Sequence, residues 1–224
     1  MAGTLAKAAA AGARTALICA TRGEAGQSAG LAETREALAA LRSAELRCSA
    51  EVLGVGELVI LDYADGAGAS WDLADLADTL AAHIRRIAAD AVITFDDQGI
   101  TRHPDHVALH RAVRLALEAA PDRLGVRRLW YQVVTCPQEA SPEGPTYACV
   151  SPEAVDVTVD IRAVEPLKRA ALACHRSQAA DTRWMLDQPE GSLAAEHYVL
   201  GWDVNGWRPV PGAGDLLAGL EAGS

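Results

Sequence analysis

Apolar positions along the chain switch repeatedly between short unbroken runs and helical spacings. The alanine-rich stretch Thr4 to Ala11 stops at Gly12, the residue that most easily turns left-handed after a helix end, so a short helix is predicted. Thr15-Ala16-Leu17-Ile18-Cys19-Ala20 is a compact apolar run that ends at the polar turn Thr21-Arg22-Gly23-Glu24, the pattern of a buried parallel strand. Leu38, Leu41, Cys48 and Val52 then recur at steps of three, seven and four, and Gly54 closes this long amphipathic helix. A second strand, Leu58-Val59-Ile60-Leu61, leads into the polar loop Asp62-Tyr63-Ala64-Asp65-Gly66. Leu73, Leu76, Leu80, Ile84 and Ile87 mark one face of the next helix. A third strand, Ala91-Val92-Ile93-Thr94-Phe95, runs into a polar loop from Asp96 to Arg102, and Pro104 opens another helix with Leu109, Val113, Ala116 and Leu117 on its apolar side.

Strand and helix alternate through this region, which predicts an α/β fold: a Rossmann-like, mainly parallel sheet flanked by helices. Beyond Pro121 the pattern loosens. Leu129 to Val134 and Val155 to Ile161 are expected strands, Val164 to Ser177 a helix, and the Gly, Pro and Ser between Pro137 and Pro145 a loop rather than a domain boundary. One domain over residues 1–224 is the expectation, because 224 residues with half of them hydrophobic can bury a sizeable core.

Charge and cysteine content narrow the partners. A net charge of −10 without a basic stripe argues against nucleic acid. No apolar run approaches the ~20 residues of a membrane span, and no cleavable leader is visible, so a cytoplasmic location with no membrane partner is expected. Cys19, Cys48, Cys136, Cys149 and Cys174 are odd in number, scattered and free of CxxC pairing, and they read as reduced core thiols. No GxGxxG loop occurs, which argues against a nicotinamide enzyme.

The richest chemistry lies in Asp96-Asp97-Gln98-Gly99-Ile100-Thr101-Arg102-His103-Pro104-Asp105-His106, after the third strand, where open α/β sheets gather ligands and catalytic groups. Two histidines flank an aspartate at a helix start. The carboxylate can orient one imidazole while the other offers a neutral nitrogen to a metal. Equally, the spacing alone allows Asp105 simply to stabilise the helix start, with both histidines solvated. His106 and His110, four apart, make a weak metal pair without a HExxH glutamate. His175 either lies near the crevice or ends a helix where a cation suits the dipole. Trp184, Trp202 and Trp207 either rim a sugar site or pack ordinarily.

His103-Pro104-Asp105-His106 after Thr-Phe-Asp resembles a signature of the LmbE-like (PIG-L) N-acetylglucosaminide deacetylases. Other pieces follow in the family's order: Gly3-Thr4-Leu5-Ala6; Thr21 to Gly26; Arg42-Ser43-Ala44-Glu45-Leu46 with Leu53-Gly54-Val55; Leu61-Asp62-Tyr63 with Asp65-Gly66; Lys168 to Ala171; and His175-Arg176-Ser177-Gln178. The resemblance spans residues 3 to about 200. It implies zinc-dependent hydrolysis of the N-acetyl group of an N-acetylglucosamine conjugate with a small molecule. It also implies that His106 ligates zinc, that His103 serves the tetrahedral intermediate and leaving amine with Asp105 orienting it, and that Arg42 and Asp65 hold the sugar. A tyrosine present in some members before the motif is Thr101 here, which puts any oxyanion help from that position in doubt.

The main departure is at the start. Family members open with a strand ending in His-x-Asp-Asp, which supplies the other ligands and the general base. None of the six histidines here precedes Gly3. A zinc with about three protein ligands cannot be built on His106 alone, so tight zinc binding by these 224 residues is not expected. The first strand of the sheet is expected to be missing, either through a start codon placed too late or in a degenerate paralogue. The alternative to an enzyme is a catalytically inactive member that binds a sugar conjugate without zinc.

Overall fold

A computed structural model describes residues 1–119, 124–137, 147–210 and 212–220. Most of the loop expected between Pro137 and Pro145 lies outside them. The chain divides into two compact units, Met1–Gly66 with Asp160–Glu196, and Ala67–Val159 with the chain from His197 on.

In the first unit, β1 (Ala16–Cys19) pairs in parallel with β2 (Glu57–Ile60), Ala16 opposite Glu57 and Cys19 opposite Ile60. The helices are α1 (Ala2–Ala10), α2 (Arg35–Val52), α6 (Glu165–Ala173) and α7 (Ala179–Leu186). Thr34 starts α2 by accepting the Ala37 N–H at 3.1 Å. At the end of α1 the chain passes Gly12 with φ +87°, as the sequence predicts.

The second unit holds α3 (Leu73–Ile87), β3 (Ala91–Phe95), the short turn α4 (Gly99–Arg102), α5 (Pro104–Ala119), β4 (Arg128–Val133) and most of β5 (Val157–Asp160) and β6 (Ala195–Asp203). Asp72 caps α3 by accepting the N–H groups of Ala74 and Asp75. Of the expected stripe, Leu76, Leu80, Ile84 and Ile87 are buried and Leu73 is half-buried, and α3 packs on α5. The strand order is β3-β4-β6-β5, with β4 parallel to β3 and antiparallel to β6, so the sheet is mixed rather than mainly parallel. Leu129 and Trp130 on β4 are fully buried. Arg128 beside them is buried too, paired with Asp203 at 2.8 Å and stacked 3.7 Å from the Trp207 ring, which makes Trp207 a packing residue. Trp184 is exposed and Trp202 half-buried.

Two expectations are corrected. The run in β1 has the pattern of a buried strand, yet all of β1 is only half-buried, as is all of β3 except Thr94. Among the described residues each stands at an end of its strand order, β1 paired only with β2 and β3 only with β4. The cysteines are not all reduced: Cys48 is bonded to Cys174 and Cys136 to Cys149, leaving Cys19 free. The first pair is separated by 126 residues, which no local spacing could reveal. Among the described residues no helix is long and apolar enough to cross a membrane.

Candidate functional site

The chain leaves β3 at Phe95 and reaches α5 through a tightly held turn. The Asp96 carbonyl accepts the Gly99 N–H at 3.1 Å, and its carboxylate accepts the Ile100 N–H at 2.9 Å. Gly99, Ile100 and Arg102 have φ of 66°, 57° and 58°. Glycine takes this conformation freely, but a β-branched isoleucine is strained there, by roughly 1–3 kcal/mol. Ile100 is clamped on both sides, its N–H by Asp96 and its carbonyl by the Ala148 N–H.

The turn shapes the surroundings of His106. Its ring stacks on Phe95 with centroids 3.9 Å apart and planes 6° from parallel. Its Nδ1 lies 3.0 Å from the Gly99 carbonyl and 3.2 Å from the Thr101 hydroxyl. A carbonyl only accepts, so Nδ1 carries the proton and Nε2 keeps its lone pair. Burial lowers the pKa of His106; the Gly99 carbonyl opposes that, His103 adds to it and Asp105 opposes it. The result is a neutral, oriented imidazole, the form that binds metals.

His103 sits beside it, ring centroids 5.2 Å apart, and is partly exposed. Its Nδ1 accepts the Asp105 backbone N–H at 3.3 Å, so the neutral ring carries its proton on Nε2. Asp105 Oδ2 is 3.9 Å from Nδ1, too long for a hydrogen bond. The other oxygen, Oδ1, accepts the Gly68 N–H at 2.8 Å. Asp105 therefore also tethers the turn before α3, a role the sequence did not suggest. Gly68 fits because it lacks a side chain: an added Cβ would lie 2.6 Å from the Asp105 backbone. His110 is buried and its Nδ1 lies 2.9 Å from the Phe95 carbonyl, a tie between α5 and the end of β3 rather than half of a metal pair.

The predicted sugar-binding residues belong to the first unit. Both brace the loop at residues 21–27. Asp65 accepts the Thr21 hydroxyl at 3.2 Å and the Ala25 N–H at 2.9 Å. Arg42 donates to the Gln27 carbonyl at 2.9 Å, and a Cβ on Gly26 would come within 2.5 Å of its guanidinium. Among the described residues, the buried Nε of Arg42 has no hydrogen-bond partner. Glu45, also on α2, accepts the Ser177 N–H and hydroxyl at 2.8 and 2.6 Å. His175 follows α6 and is half-buried; burial lowers its pKa, Glu45 opposes that and Arg42 adds to it.

A zinc site does not assemble from these residues alone. Among the described residues no three His, Cys, Asp or Glu side chains gather where one ion could be held, and His106 is a single oriented nitrogen. Phe95, Gly68 and Gly99 were not singled out in the sequence as site-builders. The only available signal was the glycine in a polar loop after a strand. Gly99→Ala is expected to destabilise the protein by about 1–3 kcal/mol. Its Cβ would meet the His106 Cβ at 2.7 Å and the Val107 nitrogen at 3.0 Å. Urea unfolding measures this, and an unchanged midpoint would mean that the turn can relax.

A family model described as GlcNAc-PI de-N-acetylase (PIG-L) matches residues 1–117. The chain is 32% identical over 217 residues to the 1D-myo-inositol 2-acetamido-2-deoxy-alpha-D-glucopyranoside deacetylase of Nakamurella multipartita, covering 80% of this chain and 74% of that protein. Among solved structures, a conserved protein of Thermus thermophilus aligns with a TM-score of 0.63 and 26% identity over 91% of this chain and 88% of the other. The N,N'-diacetylchitobiose deacetylase of Pyrococcus horikoshii aligns with a TM-score of 0.67 at 20% identity, over 89% and 77% of the two chains, a likeness of fold. With its histidine-bearing turn after β3 and its Arg42 and Glu45 helix in the matched segment, the chain belongs to the PIG-L (LmbE-like) de-N-acetylase family.

Proposed function

We propose that the protein hydrolyses the acetamide of an N-acetylglucosamine conjugate with a small molecule, in a zinc-dependent N-deacetylation. The observation that carries this reading is His106, held by Phe95 and Gly99 as a neutral imidazole with Nε2 free, within a chain of this family. The relative in Nakamurella is named for deacetylation of a 2-acetamido-2-deoxyglucopyranoside of myo-inositol, which supports an inositol or similarly small polar aglycone. His103 would be the catalytic residue: its Nε2–H donates to the amide oxygen as negative charge builds there, then passes a proton to the departing nitrogen. Asp105 positions this ring through its backbone N–H, which bonds Nδ1. We assign substrate binding to Arg42, whose guanidinium packs against the loop at residues 21–27, and to Asp65, which orders that loop. The products are acetate and a free amine.

A second reading, favoured by the single oriented ligand, is a protein that binds the sugar conjugate without cleaving it. Acetate release from an N-acetylglucosaminyl inositol conjugate, measured with zinc in excess, separates the two. Equal yields of acetate and primary amine are expected. Calorimetric binding with the conjugate recovered intact would favour the second reading. Metal analysis supplies a further expectation: dialysed protein retains substoichiometric zinc, and His106→Ala weakens what binding remains whereas His103→Ala does not. Stable one-to-one zinc after dialysis would mean that other ligands complete the site.

A further inference from the structure

α2 is tied to the segment after α6 at two points. One is the buried Glu45–Ser177 pair. The other lies about one helical turn further along α2, where Cys48 is bonded to Cys174 with their Cα atoms 5.9 Å apart. Cys48 is exposed and Cys174 half-buried. Both line an open cavity of about 440 Å³, together with Glu45, Ala170 and Arg176. That volume lies within the ~300–1,000 Å³ of small-molecule sites.

The second disulfide is placed differently. Cys136 and Cys149 are both half-buried and only 13 residues apart. Their neighbours are locked by backbone hydrogen bonds, Cys136 N–H to the Val150 carbonyl at 2.8 Å and Val150 N–H to the Val134 carbonyl at 2.9 Å. Access governs attack on a disulfide sulfur, so the two bonds should differ in reactivity.

We propose that Cys48–Cys174 is an exchangeable disulfide, a modification site for low-molecular-weight thiols, and that opening it loosens α2 from residues 174–178. A thiolate enters the cavity and attacks Sγ of Cys48, the more accessible sulfur. As the new S–S bond forms, the bond to Cys174 breaks and its electron pair leaves on that sulfur, which takes a proton from water. Arg176 offers the departing thiolate a positive charge from the wall of the same cavity. A second thiol then attacks the mixed disulfide and releases Cys48 with a small-molecule disulfide. The two electrons gained by the protein are those lost by the two thiols. With the bond open, Glu45–Ser177 remains to hold α2 to that segment.

Graded reduction of the native protein with 2-mercaptoethanol, followed by alkylation and peptide mass spectrometry, tests this. Unreduced protein should show one reactive thiol on denaturation, Cys19. Cys48 and Cys174 should become labelled at about ten-fold lower thiol concentration than Cys136 and Cys149. Amide exchange in residues 174–178 should quicken by about ten-fold on the same schedule. In Cys174→Ser, where Cys48 is a free thiol, hydroxyethyl disulfide (oxidised 2-mercaptoethanol) should convert Cys48 to the mixed disulfide and release one 2-mercaptoethanol. Five reactive thiols in the unreduced protein would overturn the proposal. So would simultaneous or reversed opening of the two bonds, or unchanged exchange after the Cys48–Cys174 bond is cut. If Cys174→Ser does not fold, the reduction series on the native chain decides alone.

Discussion

Replacing His103 by alanine is expected to lower kcat for amide hydrolysis by about 10²–10⁴, with zinc affinity unchanged. That loss corresponds to about 3–5 kcal/mol of transition-state stabilisation. The expectation follows from the ring's hydrogen bonds: Nδ1 accepts the Asp105 N–H, which leaves the proton on Nε2, where it can serve an oxyanion and then an amine. His103→Gln separates these tasks, because an amide N–H can stabilise the oxyanion but cannot transfer a proton. Recovery of most of the rate would assign the residue chiefly to charge stabilisation. Asp105 needs a different pair of variants, since it also holds Gly68. Asp105→Asn keeps an acceptor for the Gly68 N–H and removes the charge, so it should reduce rate more than stability. Asp105→Ala should reduce both. A His103→Ala enzyme within about two-fold of the parent, or one that loses zinc as His106→Ala does, would sink the assignment of roles.

How much of this could be read from the sequence depended on whether a feature is local. β3 is legible residue for residue as an unbroken apolar run, and α3 from its leucine and isoleucine stripe, because each signal is carried by neighbouring residues. The turn from Asp96 to His106 was visible as chemistry for the same reason. What it does with its backbone was not, since positive φ at Ile100 and Arg102 contradicts their local preference and is enforced by neighbours. Long-range contacts were hidden altogether. Glu45 and Ser177 were noted as parts of two separate family-like pieces, and only the fold shows one carboxylate bonding the other's N–H and hydroxyl. α7 was missed because no residue in it is buried, so it shows no apolar stripe. β6 was missed for the opposite reason. Its buried positions include Glu196, Tyr198 and Leu200, and a glutamate at an inward position breaks the alternation that marks a strand.

That glutamate leads to the second large expected effect: Glu196→Ala should destabilise the protein by about 3–5 kcal/mol, out of a total of only ~5–15 kcal/mol. Its carboxylate is buried and accepts the N–H of Gly3 at 3.0 Å, and the N–H and hydroxyl of Thr4 at 2.8 and 2.7 Å. Lys168 reaches it at 2.8 Å and the Met1 amino group at 3.3 Å. Alanine would leave these donors and a largely buried ammonium without their acceptor, and the thermal midpoint should fall by roughly 6–20 °C. Glu196→Gln keeps one carbonyl acceptor but no charge and should fall between. The pH dependence gives an independent check. Burial alone would raise the Glu196 pKa, but the Met1 and Lys168 charges with the Lys168 and Thr4 hydrogen bonds outweigh it, and the folded value lies well below 4.5. A depressed folded pKa means the unfolded chain takes up the proton first. The contribution is therefore complete above about pH 4.5 and drains away as pH falls below it. Urea titrations of wild type and Glu196→Gln from neutral pH down to about pH 3 should converge at the acid end, the variant losing less than the parent. Parallel curves would mean that other carboxylates set the acid sensitivity and that the buried glutamate is already protonated in the folded protein.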